Sequence, residues 1–565
     1  MNRPTPALVS EAGARPLSRW VLWSLCLAYL LPGQWLRDAW RHADLTAYGY
    51  MASLARGDSA WLRPTLAGLP PEDGALLPYW LGAAAMRALP MLDPVLAARL
   101  PFVLALAGVL MLVWYASFHL ARTDAAQPAP FAFGGEADTV DYARALADAA
   151  LLALLATLGL LQMGHEATGD VVQLLGVSLW TYALASAPSR ERRAQGLMVL
   201  ALGGLSLSGA PALTQMLGLG GLVVCHHSRF SGARRLRWGL VAGMVLGATL
   251  AWGTGAWGWR VQGPSLPQAD SLLRQIAWFT WPTLPLALWT LWRWRAFLAS
   301  RHVSIPLTQW LVCLSAALAM GGSDRALLLT LPALAILAAF ALPTLRRSWS
   351  AMVDWFSLFF FSLGALFIWA YYLALQTAWP PRLAANLQRL APDLRVQFEP
   401  LQLLLALAAT GAWLALVRWR SSRQRAAFWR SLALPAGGVV LAWVLLMTLW
   451  LQPLNLGRSN GVLLARMQAI IPASATCVAV GGTQRSLWAT LEAQGGWKVV
   501  LPPRGLGACD WMVQTAPRGE TPQVPIGWDA VAAVDRPTER DTRYWVLRKR
   551  PLSALAAHPG ERRGG

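Results

Sequence analysis

The sequence predicts an α-helical polytopic membrane protein followed by a small α/β domain. Three observations predict it. Apolar residues make up 56% of the 565-residue chain and charged residues only 13%, about half the charged share of a soluble domain. The apolar residues come in long runs, such as 148–163, 196–225 and 356–375. About 20 helical residues cross a hydrocarbon core of roughly 30 Å. After Leu451 the long runs stop and short alternating segments take over. Mean hydropathy is +0.41, which excludes a disordered chain and an ordinary soluble enzyme.

The first run, about 17–36, follows Arg3, Arg15 and Arg19 and has no small-residue cleavage site with a soluble chain behind it. It reads as a retained helix. A semi-polar loop, 37–97, comes next. Twelve more runs follow, at 98–121, 143–163, 169–187, 195–208, 210–226, 237–256, 276–296, 303–320, 326–344, 352–377, 401–417 and 431–451. Arginine marks alternate connections: Arg190, Arg192 and Arg193; Arg229, Arg234, Arg235 and Arg237; Arg293, Arg295 and Arg301; Arg346 and Arg347; Arg418, Arg420, Arg423 and Arg425. Basic loops stay cytoplasmic. Thirteen spans with the N-terminus inside therefore place loop 37–97 and the tail after Leu451 on the outer face. The transmembrane domain is 1–451 and the outer α/β domain 452–565.

The formal charge of +20 is nearly all arginine, with Lys498 and Lys549 the only lysines. No separate basic domain carries it, so membrane lipids and not nucleic acid are the expected contact. Cys26, Cys225 and Cys313 sit in or beside apolar runs and read as packing residues. Cys477 and Cys509 lie in the tail, where an oxidising compartment would allow them to bond. The tail reads as strands and helices at 476–480, 485–493, 497–501, 510–514 and 544–548, with Gly481-Gly482 as a turn and the last dozen residues disordered.

Loop 37–97 is where the chain places its chemistry. It holds Arg41-His42-Ala43-Asp44, Tyr48, Arg56-Gly57-Asp58, Arg63-Pro64, Gly68, Glu72-Asp73-Gly74 and Tyr79-Trp80, and Ala98-Arg99-Leu100-Pro101 follows it. Polar groups beside a membrane are costly and mark functional sites. Leu45, Tyr48, Met51 and Ala52 recur at helical spacing, which predicts a short interfacial helix, and 76–89 predicts a second.

This loop resembles that of the GT-C glycosyltransferases that use polyprenyl-phosphate sugars, of the bacterial lipid A aminoarabinose transferase and protein O-mannosyltransferase type. The likeness rests on Asp44, Tyr48, Gly57-Asp58, Pro64, Gly68, Asp73, Tyr79-Trp80 and Ala98-Arg99-Leu100-Pro101 in matching order. Weaker echoes are Asp170, Gly209-Ala210-Pro211 and Ser323-Asp324-Arg325 before Leu331-Pro332. The resemblance implies a bacterial inner-membrane enzyme with a cavity open to the periplasm. There an acceptor on a lipid, glycan or protein attacks the anomeric carbon, and a polyprenyl phosphate leaves with inversion. It implies Asp44 as general base and Asp73 as a second acid that places the acceptor or a metal. It requires no cofactor and leaves room for a divalent metal. Arg56, Arg63, Arg260, Arg274 and Arg325 lie in outer loops and are the expected phosphate ligands.

Three features depart from the family. The acidic pair is reduced to Asp44-Leu45, and a gapless alignment from Gly57-Asp58 puts His42 at the catalytic position. Family lysines are replaced by Gly74 and Ser208 and near Asp324. Lysine and arginine bind phosphate differently. A catalytically degenerate relative and a transporter or flippase of lipid-linked glycans are the alternative functions.

Overall fold

The structure is a computed structural model. It describes residues 5–227, 230, 232–258, 269–391, 394, 396–421, 427–503 and 507–550. The expected disordered tail, 551–565, and Arg229, Arg260, Arg423 and Arg425 lie outside the described residues.

The chain is mostly helical. Six helices among the described residues are long and apolar enough to cross a membrane: Pro94–Ala121, Ala233–Thr254, Arg301–Ala319, Ser348–Thr377, Pro400–Arg420 and Phe428–Thr448. The other seven expected runs are also helical but shorter, broken or less apolar. Each break has a local cause. Run 143–163 divides after Ala156, where Thr157 turns to extended backbone (ψ 119°) and bonds back to the Ala153 carbonyl. Run 276–296 divides at Thr280-Trp281-Pro282, because proline has no N–H to continue a helix. Clean starts have causes too: Asp93 and Asp138 cap Pro94–Ala121 and Thr139–Ala156 by accepting backbone N–H groups.

Loop 37–97 contains the two expected helices, Ala43–Arg56 and Leu77–Ala88. The first ends where Gly57 takes a left-handed φ of 86° and its N–H closes on Leu54 and Ser53. The tail forms a five-stranded mixed sheet: β1 (Cys477–Gly481), β2 (Lys498–Val500), β3 (Trp511–Pro517), β4 (Trp528–Val534) and β5 (Thr542–Lys549), in the order β2-β1-β3-β5-β4. β1 runs parallel to β2 and β3, and β5 is antiparallel to β3 and β4. Cys477 and Cys509 form the expected disulfide, with Cα atoms 5.4 Å apart.

The tail shares a core with the loop. Leu45, Tyr48, Met51 and Leu66 pack in one cluster with Val478, Trp488, Leu491, Trp497 and Val546. Gly49 makes the closest approach: a Cβ there would come within 2.8 Å of Ala489 Cβ. The helical bundle has its own core, built around the Thr139–Ala156, Gly169–Ser186, Leu331–Ala341 and Ala433–Thr448 helices.

Candidate functional site

The exit of the chain from its first helix is held by buried arginines. Arg99 is 2% exposed and donates to the carbonyls of Gln34 at 3.0 Å, Arg37 at 3.2 Å and Asp38 at 3.3 Å. These carbonyls belong to no helix, so one guanidinium satisfies a turn of backbone that would otherwise be buried without partners. Arg37 is buried beside it. Its Nη2 donates to the His165 carbonyl at 2.6 Å, and its guanidinium lies 4.9 Å over the Trp40 ring. Arg37 Nε and Nη1 have no hydrogen-bond partner among the described residues. Burial lowers the Arg37 pKa, while the Asp44 and Glu166 charges act to raise it.

Asp44 sits in the first turn of Ala43–Arg56, where a negative charge suits the helix dipole. It is 2% exposed. One oxygen accepts the Trp40 N–H at 3.1 Å and the other the Ala167 N–H at 2.8 Å. Its carboxylate thus clamps loop 37–97 to the short 164–168 connection. His165, next to it, is a packing residue: its ring nitrogens lie 2.7 Å and 2.8 Å from the Leu161 and Tyr29 carbonyls, and it stacks on Trp443 at 4.2 Å.

Glu166 and Asp170 together hold Arg325. The two N–O distances are 2.6 Å and 2.7 Å, and the Glu166 side chain is only 5% exposed. Burial would lower the Arg325 pKa, but the two carboxylates more than reverse it and raise it. Gln162 completes Glu166 at 3.0 Å, Thr168 completes Asp170 at 3.2 Å, and Gln275 bonds Asp324 next door.

Asp73 is half-buried. Its Oδ1 accepts the Ala75 N–H at 3.1 Å. Gly209, with φ 85°, lets it in: a Cβ at that position would stand 3.0 Å from Asp73 Cβ and Cγ. Asp73 lies close enough to Tyr50 and Tyr79 to act on both phenols. Burial pushes Tyr79 well above its usual value, with Asp73, Tyr50 and Asp170 adding to it. Burial also pushes Tyr50 up to about 12, although Arg485 pulls the other way. The two rings stand 5.0 Å apart.

The tail reaches this same patch. Arg485 follows β1 and donates to the Tyr50 hydroxyl, to the Pro70 carbonyl at 2.8 Å and to Glu72 at 2.9 Å. Ser486 lies 3.3 Å from His42 Nδ1. Partial burial and then Arg41 lower the His42 pKa, and Arg325 acts in the same direction. Arg325 is therefore the hinge of the array, near His42 on one side and bonded to Asp170 and Glu166 on the other. No group of three or more His, Cys, Asp or Glu residues that could hold a metal occurs among the described residues.

Of the remaining expected ligands, Arg260 lies outside the described residues and the other three lie elsewhere. Arg56 pairs with Asp58 at 3.1 Å and donates to the Glu492 carbonyl. Arg63 is exposed on the loop. Arg274 pairs with Asp270 one turn earlier, both largely in solvent. Of the four expected arginines among the described residues, Arg325 alone lies inside the array. Asp170 was visible in the sequence only as a weaker echo of the family, and the sequence reading did not assign Arg37, Glu166, Tyr50 or Arg485 to the site. A lone arginine just past an apolar run was the available signal for Arg37. Arg485 carried none, because its partners are more than 400 positions away.

No protein-family model matches the chain. No curated protein matches it by sequence. Solved structures do match. ArnT from Cupriavidus metallidurans in the apo state aligns with 94% of this chain and 96% of its own, at TM-score 0.58 and 14% identity. The chain has the ArnT fold. ArnT from the same organism bound to undecaprenyl phosphate aligns with 94% and 97%, at TM-score 0.59 and again 14% identity. At that coverage the ArnT fold takes in the tail sheet as well as the helices, and at that identity the likeness is one of fold. The ArnT fold also accounts for the multi-pass arrangement of the helices.

Proposed function

We propose that the chain is a bacterial inner-membrane glycosyltransferase that moves a sugar from a polyprenyl-phosphate donor to a lipid, glycan or protein acceptor at the periplasmic face. The observation that carries the reading is the interleaved set of Arg37, Arg325, Asp44, Glu166, Asp170 and Asp73 on the ArnT fold. A leaving phosphate needs fixed cationic donors, and Arg37 Nε and Nη1 are buried without a hydrogen-bond partner among the described residues. Arg325 is held by two carboxylates, so it would serve a phosphate only if one of them gave way or took up a proton. The ArnT structure with undecaprenyl phosphate supplies the precedent for the donor lipid on this fold.

In the proposed step the acceptor oxygen attacks the anomeric carbon as the bond from that carbon to the phosphate oxygen breaks. The electron pair leaves on the polyprenyl phosphate, the acceptor proton passes to a carboxylate, and the configuration inverts. The general base is Asp44 or Asp73. Each Asp44 oxygen keeps a second lone pair beyond its amide bond, so it can take a proton once the 164–168 connection yields. Asp73 is favoured by its greater exposure and its place near Tyr79, on which Asp170 also acts. Outer-face orientation of the tail is part of this reading, and the Cys477–Cys509 bond supports it.

The test uses the purified chain in lipid nanodiscs with synthetic polyprenyl-phosphate sugars, and mass spectrometry of the released polyprenyl phosphate. A positioned base contributes about 10²–10⁴-fold. Asp44→Asn or Asp73→Asn should lose that factor while donor binding persists, and the one that does so is the base. If folded wild-type protein releases no polyprenyl phosphate from any donor, the glycosyltransferase reading fails and the degenerate relative or the flippase takes its place.

A further inference from the structure

The far end of the helix that carries Arg99 holds a cluster the first-loop array does not use. Along Pro94–Ala121, Leu104, Met111 and Tyr115 form an exposed stripe. His119 and then Arg122 continue that stripe, one and two turns beyond Tyr115. Large apolar side chains on the outside of a spanning helix face lipid tails. From Met111 to Arg122 the chain rises roughly 16 Å, about half of a hydrocarbon core of roughly 30 Å. The stripe is therefore long enough for one leaflet of tails, and it ends in a histidine and an arginine.

Tyr182, buried on the neighbouring helix Gly169–Ser186, backs this end of the stripe. Its ring stands 5.9 Å from His119 and 6.4 Å from Tyr115. Arg122, whose guanidinium lies 5.6 Å over the Phe118 ring, and Arg190 are both exposed and near enough to act on the His119 ring. Arg301 acts on it too, but Arg301 closes a helix end: it donates to the Leu184 and Ala185 carbonyls at 2.7 Å and 3.2 Å and lies 4.3 Å over Phe230. Arg122 and Arg190 form no ion pair among the described residues. Of the acids next to them in the chain, Glu191 pairs with Arg235 at 2.9 Å, and Asp124 is exposed. The connection 226–232 adds His226, His227 and Arg229 and no acid.

We propose that Tyr115, His119, Arg122, Tyr182 and Arg190 form a site for the headgroup of an anionic glycerophospholipid. The two guanidiniums meet the phosphate diester, and an acyl chain runs down the stripe past Met111 and Leu104. A soluble phosphate would make no use of the stripe. A zwitterionic phospholipid would bring its ammonium group against two cations that no carboxylate offsets. Basic pockets between spanning helices hold acidic headgroups in this way. Loop arginines that only set topology need no particular neighbours. Arg122 and Arg190 instead bracket a half-buried imidazole and two phenols where a lipid-facing stripe ends. Arg99 and Arg122 stand at opposite ends of one helix, so the site is separate from the first-loop array and does not depend on the transferase reading.

The experiment is native mass spectrometry of the full chain released from mixed micelles that hold equal amounts of phosphatidylglycerol and phosphatidylethanolamine. Wild type is expected to retain phosphatidylglycerol in preference to phosphatidylethanolamine. Arg122→Gln with Arg190→Gln should lower that preference at least about fivefold, because both headgroup cations are lost. Arg192→Gln with Arg193→Gln removes the same charge from the same connection, outside the cluster, and should leave the preference unchanged. If the first variant melts below wild type, Arg122→Gln alone is read instead and must lower the preference also. Equal retention of the two lipids, or a preference that survives these changes at Arg122 and Arg190, overturns the proposal. So does an equal loss in Arg192→Gln with Arg193→Gln, which would reduce the effect to net charge. Displacement of the lipid by an equal concentration of glycerol 3-phosphate would assign the cluster to a soluble phosphate and overturn it equally.

Discussion

Asp44 stood out in the sequence through the family resemblance of its loop, but its neighbours did not, and they define how it is held. Two backbone amides occupy its two oxygens. Asparagine can accept only one of them, and its NH₂ would face the other N–H. Asp44→Asn should therefore cost about 1–3 kcal/mol of stability, seen as a lower midpoint in thermal unfolding, whatever it does to transfer. Asp73→Asn keeps an oxygen for the Ala75 N–H and should melt close to wild type. Arg325 carries the larger stability expectation. Arg325→Leu would leave the nearly buried Glu166 without its cation, and breaking such a pair costs about 3–5 kcal/mol when both partners are buried. Arg325 is 31% exposed, so the lower part of that range is expected, again by thermal unfolding. In the sequence Glu166 is only the neighbour of His165 in a short connection. Only the fold reveals that Glu166 points to residue 325 while His165 packs on Trp443.

At the scale of elements, composition was enough to find the helical runs, the two loop helices and four of the five strands. β4 escaped because most of its side chains face solvent and show no alternation. The breaks at Thr157 and Pro282 escaped because apolar content is continuous across them. Close approaches between elements were invisible for a different reason: a glycine shows in sequence, but its contact does not. Gly209→Ala should strain a left-handed backbone and push Asp73, at about 1–3 kcal/mol, with loss of transfer larger than the stability change implies. Gly49→Leu should prise Ala43–Arg56 from the Arg485–Ala489 helix. Hydrogen exchange in residues 43–56 should rise while exchange in Pro94–Ala121 stays unchanged.

In the whole molecule, the tail is bound to the outer loop by charge as well as by core. Arg41 meets Glu539 at 2.7 Å, and Tyr544 donates to the same carboxylate at 3.1 Å. Burial alone would raise Glu539, but these bonds and the Arg41 and Arg536 charges hold its pKa below the ordinary 4.5. A depressed carboxylate contributes stability that is present above the unfolded value and lost as pH falls through the folded one. Loop–tail docking, followed by exchange in residues 43–56, should hold from neutral pH to about 4.5 and weaken below it. Glu539→Gln should flatten that dependence. A reporter fused after Leu451 should be active only in the periplasm, and cytoplasmic activity would mean the arginine-loop count is off by one span.

The Arg41–Glu539 pair joins residues 498 positions apart, and the shared core spans the same interval. During synthesis loop 37–97 is made long before the sheet that covers it. Until the ribosome has delivered the sheet, the apolar side of Ala43–Arg56 has no lid, and Arg485 has not reached Tyr50. A contact of such long sequence separation forms late. The apolar side of Ala43–Arg56 is therefore covered only when the sheet arrives, and a message that stops before β1 leaves that side open, to be bridged meanwhile by whatever holds a nascent chain.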